Sequence, residues 1–119
     1  MATEIWHNPK CSKSRTAKAT LDDTGVDYVE RRYLDDPPSV AEITTVLGKL
    51  GLEPWDITRT AEPEAKELGV AAWDRTPAER DRWIEALATH PRLIQRPIVL
   101  TADGRAILAR SDQALDELR

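Results

Sequence analysis

One cysteine, Cys11, lies in the run His7-Asn8-Pro9-Lys10-Cys11-Ser12-Lys13-Ser14-Arg15, between a short apolar stretch and the first residues of a helical pattern. A helix N-terminus presents unpaired backbone N–H groups and partial positive charge, and both favour a thiolate over a thiol. Lys10, Lys13 and Arg15 add positive charge nearby, and His7 is placed to offer the sulfur a hydrogen bond or a cationic field. The chemistry implied is nucleophilic attack by sulfur, and the same features attract an oxyanion substrate. In the competing reading Cys11 is an inert small apolar side chain, which fits poorly with its polar and basic neighbours. His7 is open to two readings: a structural hydrogen-bonding residue, or a group that tunes the sulfur.

A lone cysteine cannot close an internal disulfide, so a redox cycle through Cys11 must borrow a second thiol. No metal-ligand cluster, phosphate loop or dinucleotide fingerprint occurs, and no bound cofactor is expected. The net charge of -4 argues against nucleic acid as a partner. No apolar run reaches the ~18 residues that would span a bilayer, and the N-terminus lacks the basic and apolar regions of a signal peptide, so the expected location is the cytoplasm. With 119 residues, 32% charged and 40% hydrophobic, the chain is expected to form one domain over 1–119, as a monomer.

The elements that must hold Cys11 follow from local pattern. Residues 4–7 are a strand candidate broken by Asn8-Pro9, and Ala17 and Leu21 recur at helical spacing over 12–24, with Gly25 suited to the position just past the helix. Residues 27–34 read as a second strand closed by Asp35-Asp36-Pro37-Pro38. Ser39 and Glu42 form a capping box ahead of the stripe Ile43, Val46, Leu47 and Leu50, and Thr76-Pro77-Ala78-Glu79 repeats that signature ahead of Trp83, Ile84 and Leu87. Residues 97–101 and 105–109 flank Ala102-Asp103-Gly104 as a hairpin, and Ser111 can cap a last short helix. The order predicts an α/β fold of thioredoxin-like type: a mixed sheet of about four strands flanked by helices, its first two strands parallel, with extra helix inserted in the middle. Trp6, Trp55, Trp73 and Trp83 are expected to serve packing.

The run HNPKCSKSR resembles the signature of the glutaredoxin-coupled arsenate reductases, a branch of the thioredoxin-like superfamily. Tyr33-Leu34-Asp35-Asp36-Pro37-Pro38-Ser39 resembles that family's segment after its second strand, and Gln95-Arg96-Pro97-Ile98-Val99 its Arg-Pro-Ile motif, so the likeness covers nearly the whole chain. It implies Cys11, His7, Ser14 and Arg15 as catalytic residues and Arg59, Arg96 and Arg110 as anion-binding ones. At the last of these the family has Arg-Pro, whereas this chain has Arg110-Ser111. Guanidinium groups suit a tetrahedral oxyanion because they donate paired, charge-assisted hydrogen bonds. The resemblance further implies a cis Arg96-Pro97 bond, arsenate as substrate, glutathione or another small thiol as co-substrate, and glutaredoxin as partner.

Two other functions fit parts of the pattern. Cys11-Ser12-Lys13-Ser14 has the C-x-x-S form of single-thiol glutaredoxins, which exchange glutathione disulfides, but such a substrate needs no group of arginines. Relatives in the superfamily are regulators that bind RNA polymerase and sense oxidation through C-x-x-C, a disulfide that Ser14 in the second position precludes.

Overall fold

The computed structural model describes residues 2–119. Strand β1 (Thr3–Trp6) pairs in parallel with β2 (Tyr28–Arg31) on one side and antiparallel with β3 (Ile98–Leu100) on the other. β4 (Ala106–Leu108) completes the hairpin with β3, so the sheet order is β2-β1-β3-β4. Ile5, Val99 and Ile107 stand opposite one another across three strands. Because side chains alternate across a strand, these three share one face, where Ala17 and Leu21 pack on them. Both come from α1 (Ser12–Thr24), and Ala114 and Leu115 of α5 (Asp112–Asp116) fringe the same cluster.

The helix ends are set by local chemistry. Gly25 closes α1 at φ 73°, a left-handed conformation that costs glycine no Cβ clash. Ser39 and Glu42 form the expected reciprocal capping box at the start of α2 (Val40–Leu50), and the Ser111 hydroxyl accepts the Ala114 N–H at 3.1 Å. The second expected capping box does not form. Pro77–Glu79 is instead a 3-10 turn in which the Glu79 N–H bonds the Thr76 backbone carbonyl, and α4 (Arg80–Thr89) begins after it. The second strand is also shorter than expected, because the Arg32 carbonyl accepts both the Asp35 and Asp36 amides and turns the chain.

Contacts group the chain into two compact units: the chain up to Asp36 with Arg96–Arg119, and Pro37–Gln95. The first holds the sheet, α1 and α5. The second is the expected helical insertion, in which α2 packs on α4 and α3 (Pro63–Leu68) on the turn Pro91–Leu93. Trp83 is buried there with Trp55 and Trp73 edge-on to it, at 6.1 and 5.4 Å between ring centres, so these tryptophans do pack. Among the described residues, no helix is long and apolar enough to cross a membrane, and no His, Cys, Asp and Glu group is arranged to hold a metal ion.

Candidate active site

Asn8 builds the loop that delivers the thiol. Its carbonyl accepts the Cys11 N–H and its side-chain oxygen the Lys10 N–H, each at 3.0 Å, while its own N–H donates to the Ser14 hydroxyl at 3.0 Å. Such Asx geometry is what Asn before a turn supplies. Arg15 secures the same loop by donating to the Pro9 carbonyl at 3.0 Å. The loop places Cys11 at the N-cap of α1 with extended backbone (φ -98°, ψ 124°), directly before the helix's free amides.

Cys11 is 8% exposed, and burial alone pushes its thiol up. Opposing groups outweigh burial. The Ser14 N–H, the charge of Arg96, the Lys13 N–H and a hydrogen bond from the Arg96 side chain together hold the thiol below its ordinary range. Lys10 and Lys13, which the sequence offered as neighbouring charges, have exposed side chains; Lys13 acts through its backbone.

His7 follows β1, and its N–H donates to the Arg31 carbonyl at 2.8 Å. The imidazole is buried. Its Nδ1 meets the Ser14 hydroxyl at 2.6 Å and its Nε2 faces Glu30 Oε1 at 3.8 Å, so its two polar atoms address serine and glutamate. Burial holds the imidazole below its ordinary value; Lys18, Arg32 and Arg15 push the same way, and Glu30 opposes them. Neutral His7 therefore acts on the site as a hydrogen-bonding partner of Ser14 rather than as a cation. Glu30 carries no signal in the linear sequence, because the parallel register that brings it beside this face of β1 exists only in the sheet.

Arg96 closes the thiol site. Its peptide bond to Pro97 is cis, as the resemblance implies, and its backbone carbonyl accepts Arg110 Nη1 at 2.6 Å. Arg96 Nε is buried without an acceptor, a donor in place for one more oxygen. Arg110 thus meets the backbone of the other arginine. Arg59 belongs to the second unit, where its guanidinium pairs with Glu62 at 2.6 Å and donates to the Arg92 carbonyl at 3.1 Å.

Both lowered pKa values have the same sign in folding. The unfolded chain binds a proton at each site before the folded one does, so stability is fully present above the ordinary values and is lost as pH falls through the depressed ones. For reactivity, the rate of Cys11 alkylation by iodoacetamide is expected to titrate with a midpoint below that of a free thiol. A midpoint at or above the free-thiol value in a stopped-flow titration would refute the thiolate.

A model of the ArsC family matches residues 6–118. The chain is 61% identical over 112 residues to an uncharacterised protein in the glnII region of Streptomyces viridochromogenes, the match covering 94% of each. It is 40% identical over 108 residues to the arsenate reductase of Neisseria meningitidis, covering 90% of this chain and 89% of that protein. The solved structure of an arsenate reductase from Vibrio cholerae aligns with a TM-score of 0.82 at 36% identity, covering 99% of this chain and 95% of that one.

Proposed function

We propose that this chain, which belongs to the ArsC family, reduces arsenate to arsenite with Cys11 as the nucleophile. The observation that carries the reading is the place of the sulfur at the N-cap of α1, directly before the helix's free amides, where the Lys13 and Ser14 amides and Arg96 hold its thiol below the ordinary range. The thiolate attacks arsenic, one arsenate oxygen leaves as water, and a sulfur–arsenic(V) bond forms. Arg96 holds the remaining negative oxygens, with its unpaired Nε as one donor and Arg110 steadying its backbone.

Two electrons are then needed, and the chain has one thiol to offer. Glutathione attacks arsenic as the second thiol and a second oxygen leaves as water; glutaredoxin then attacks the glutathione sulfur. The arsenic–sulfur bond to glutathione breaks, its electron pair stays on arsenic as arsenic(V) becomes arsenic(III), glutathione and glutaredoxin leave as a mixed disulfide, and water releases arsenite and free Cys11. The cytoplasm is where such thiols are kept reduced. The role that the resemblance implies for Arg59 is read by Arg59→Ala in the same assay.

The test is arsenite release from arsenate with glutathione plus glutaredoxin, with thioredoxin, and with glutathione alone. Arsenite is expected with the glutathione and glutaredoxin pair. Absence of arsenite with every reductant, alongside disulfide exchange on a glutathionylated peptide, would overturn the reading.

A further inference from the structure

Glu30 divides its carboxylate between two partners: Oε1 faces His7 Nε2 at 3.8 Å, and Oε2 accepts Arg32 Nε at 3.0 Å. It is 26% exposed, whereas the imidazole it faces is 3% exposed, so the glutamate stands at the rim of a buried pair. A neutral imidazole carries one N–H, and whichever partner needs a donor selects the nitrogen that bears it. A carboxylate is acceptor-only, and at 3.8 Å, beyond hydrogen-bond length, its negative charge favours Nε2–H. Nδ1 is then left to accept, and the Ser14 hydroxyl, 2.6 Å away, must donate to it. That fixes the serine oxygen with its lone pairs free, and it takes the Asn8 N–H at 3.0 Å. Asn8 in turn holds the Cys11 N–H. Every donor and acceptor in this chain of contacts has one assignment once the proton sits on Nε2.

We infer that Glu30 is a positioning residue for the thiol site, which sets the His7 tautomer and through it the Ser14 hydroxyl that anchors the Asn8-to-Cys11 loop. Its ordering matters to the sulfur because Ser14 also supplies the first of the backbone N–H groups that favour the thiolate. Arg32 keeps Glu30 ionised and turned toward the imidazole: its hydrogen bond is the main influence holding that carboxyl below its ordinary value, with His7 and Lys18 adding to it against partial burial. The charged groups that act on His7 are Glu30 of β2, Arg32 just beyond it, and Lys18 and Arg15 of α1.

The inference rests on the proposed role of Cys11 only for its consequence, and its readouts need no arsenate. Nitrogen-15 spectra of the His7 ring at neutral pH are expected to show the Nε2–H tautomer in the unaltered protein. Glu30→Leu is expected to give a mixture of tautomers, and a fall in Cys11 alkylation rate of about threefold, the scale of one weakened hydrogen bond. Glu30→Asp is expected to restore the single tautomer in part. Should Glu30→Leu fail to fold, Glu30→Gln serves: removing the negative charge is expected to move the protonation midpoint of His7 further down. A Nδ1–H tautomer in the unaltered protein, an unchanged tautomer and alkylation rate in Glu30→Leu, or an unmoved midpoint in Glu30→Gln would overturn the inference. Absence of arsenite formation by the unaltered protein while its His7 holds the Nε2–H tautomer would instead count against the proposed function.

Discussion

Cys11→Ser is expected to lower arsenite formation by ~10^3-fold or more while leaving the fold intact. The groups that favour a thiolate cannot do the same for a hydroxyl, whose proton is held too tightly to be released near neutral pH. The Lys13 and Ser14 amides and Arg96 would then face a neutral oxygen with little nucleophilic power. Two influences on stability oppose each other: serine forfeits what the depressed thiol pKa contributes, but it is among the preferred N-cap residues and its oxygen can accept helix amides, so thermal unfolding is expected at a nearly unchanged temperature. Circular dichroism melts and coupled assays on the same preparation separate the two effects. Turnover within tenfold of the unaltered protein would remove Cys11 from the mechanism.

Arg96→Ala is expected to lower kcat/KM by about 10^2- to 10^3-fold, the scale seen when one preorganised donor to a developing oxyanion is removed. The substitution is clean because the contact from Arg110 is to the backbone carbonyl of residue 96, which alanine retains. It acts twice: the substrate oxygens lose a charged donor, and the sulfur loses both the charge and the hydrogen bond that help hold its pKa down. The alkylation midpoint of Cys11 should therefore move up alongside the loss of turnover. Arg96→Lys keeps the charge without the planar fork, so it is expected to recover the alkylation midpoint better than the turnover. Unchanged kcat/KM in Arg96→Ala, or a lysine variant as active as arginine, would refute this role.

Local signals in the sequence determined the elements. Gly25 stops α1 because its backbone conformation is left-handed, Ser39 and Glu42 start α2 by satisfying each other's amides, and Ser111 caps α5. Each of these depends on residues within a turn of one another, which is why linear reading finds them. The thiolate setting of Cys11 belongs to the same class, since its amide donors lie two and three residues ahead. Linear reading failed where a competing local bond won: Thr76 has the residues of a capping box, yet its carbonyl and not its hydroxyl takes the Glu79 amide.

Only the tertiary structure decided which distant groups address the thiol site and with what chemistry. The sheet brings Glu30 to the far nitrogen of His7 and α1 brings Ser14 to the near one, which makes His7 a neutral hydrogen-bonding partner rather than a cation on the sulfur. Arg96 reaches Cys11 from the far end of the chain, and Arg110 spends a guanidinium N–H on the Arg96 carbonyl. The physical reason is common to all of these. Capping and turn chemistry are satisfied within a few residues, whereas the charge state of a buried group is set by desolvation and by partners that the folded chain brings together.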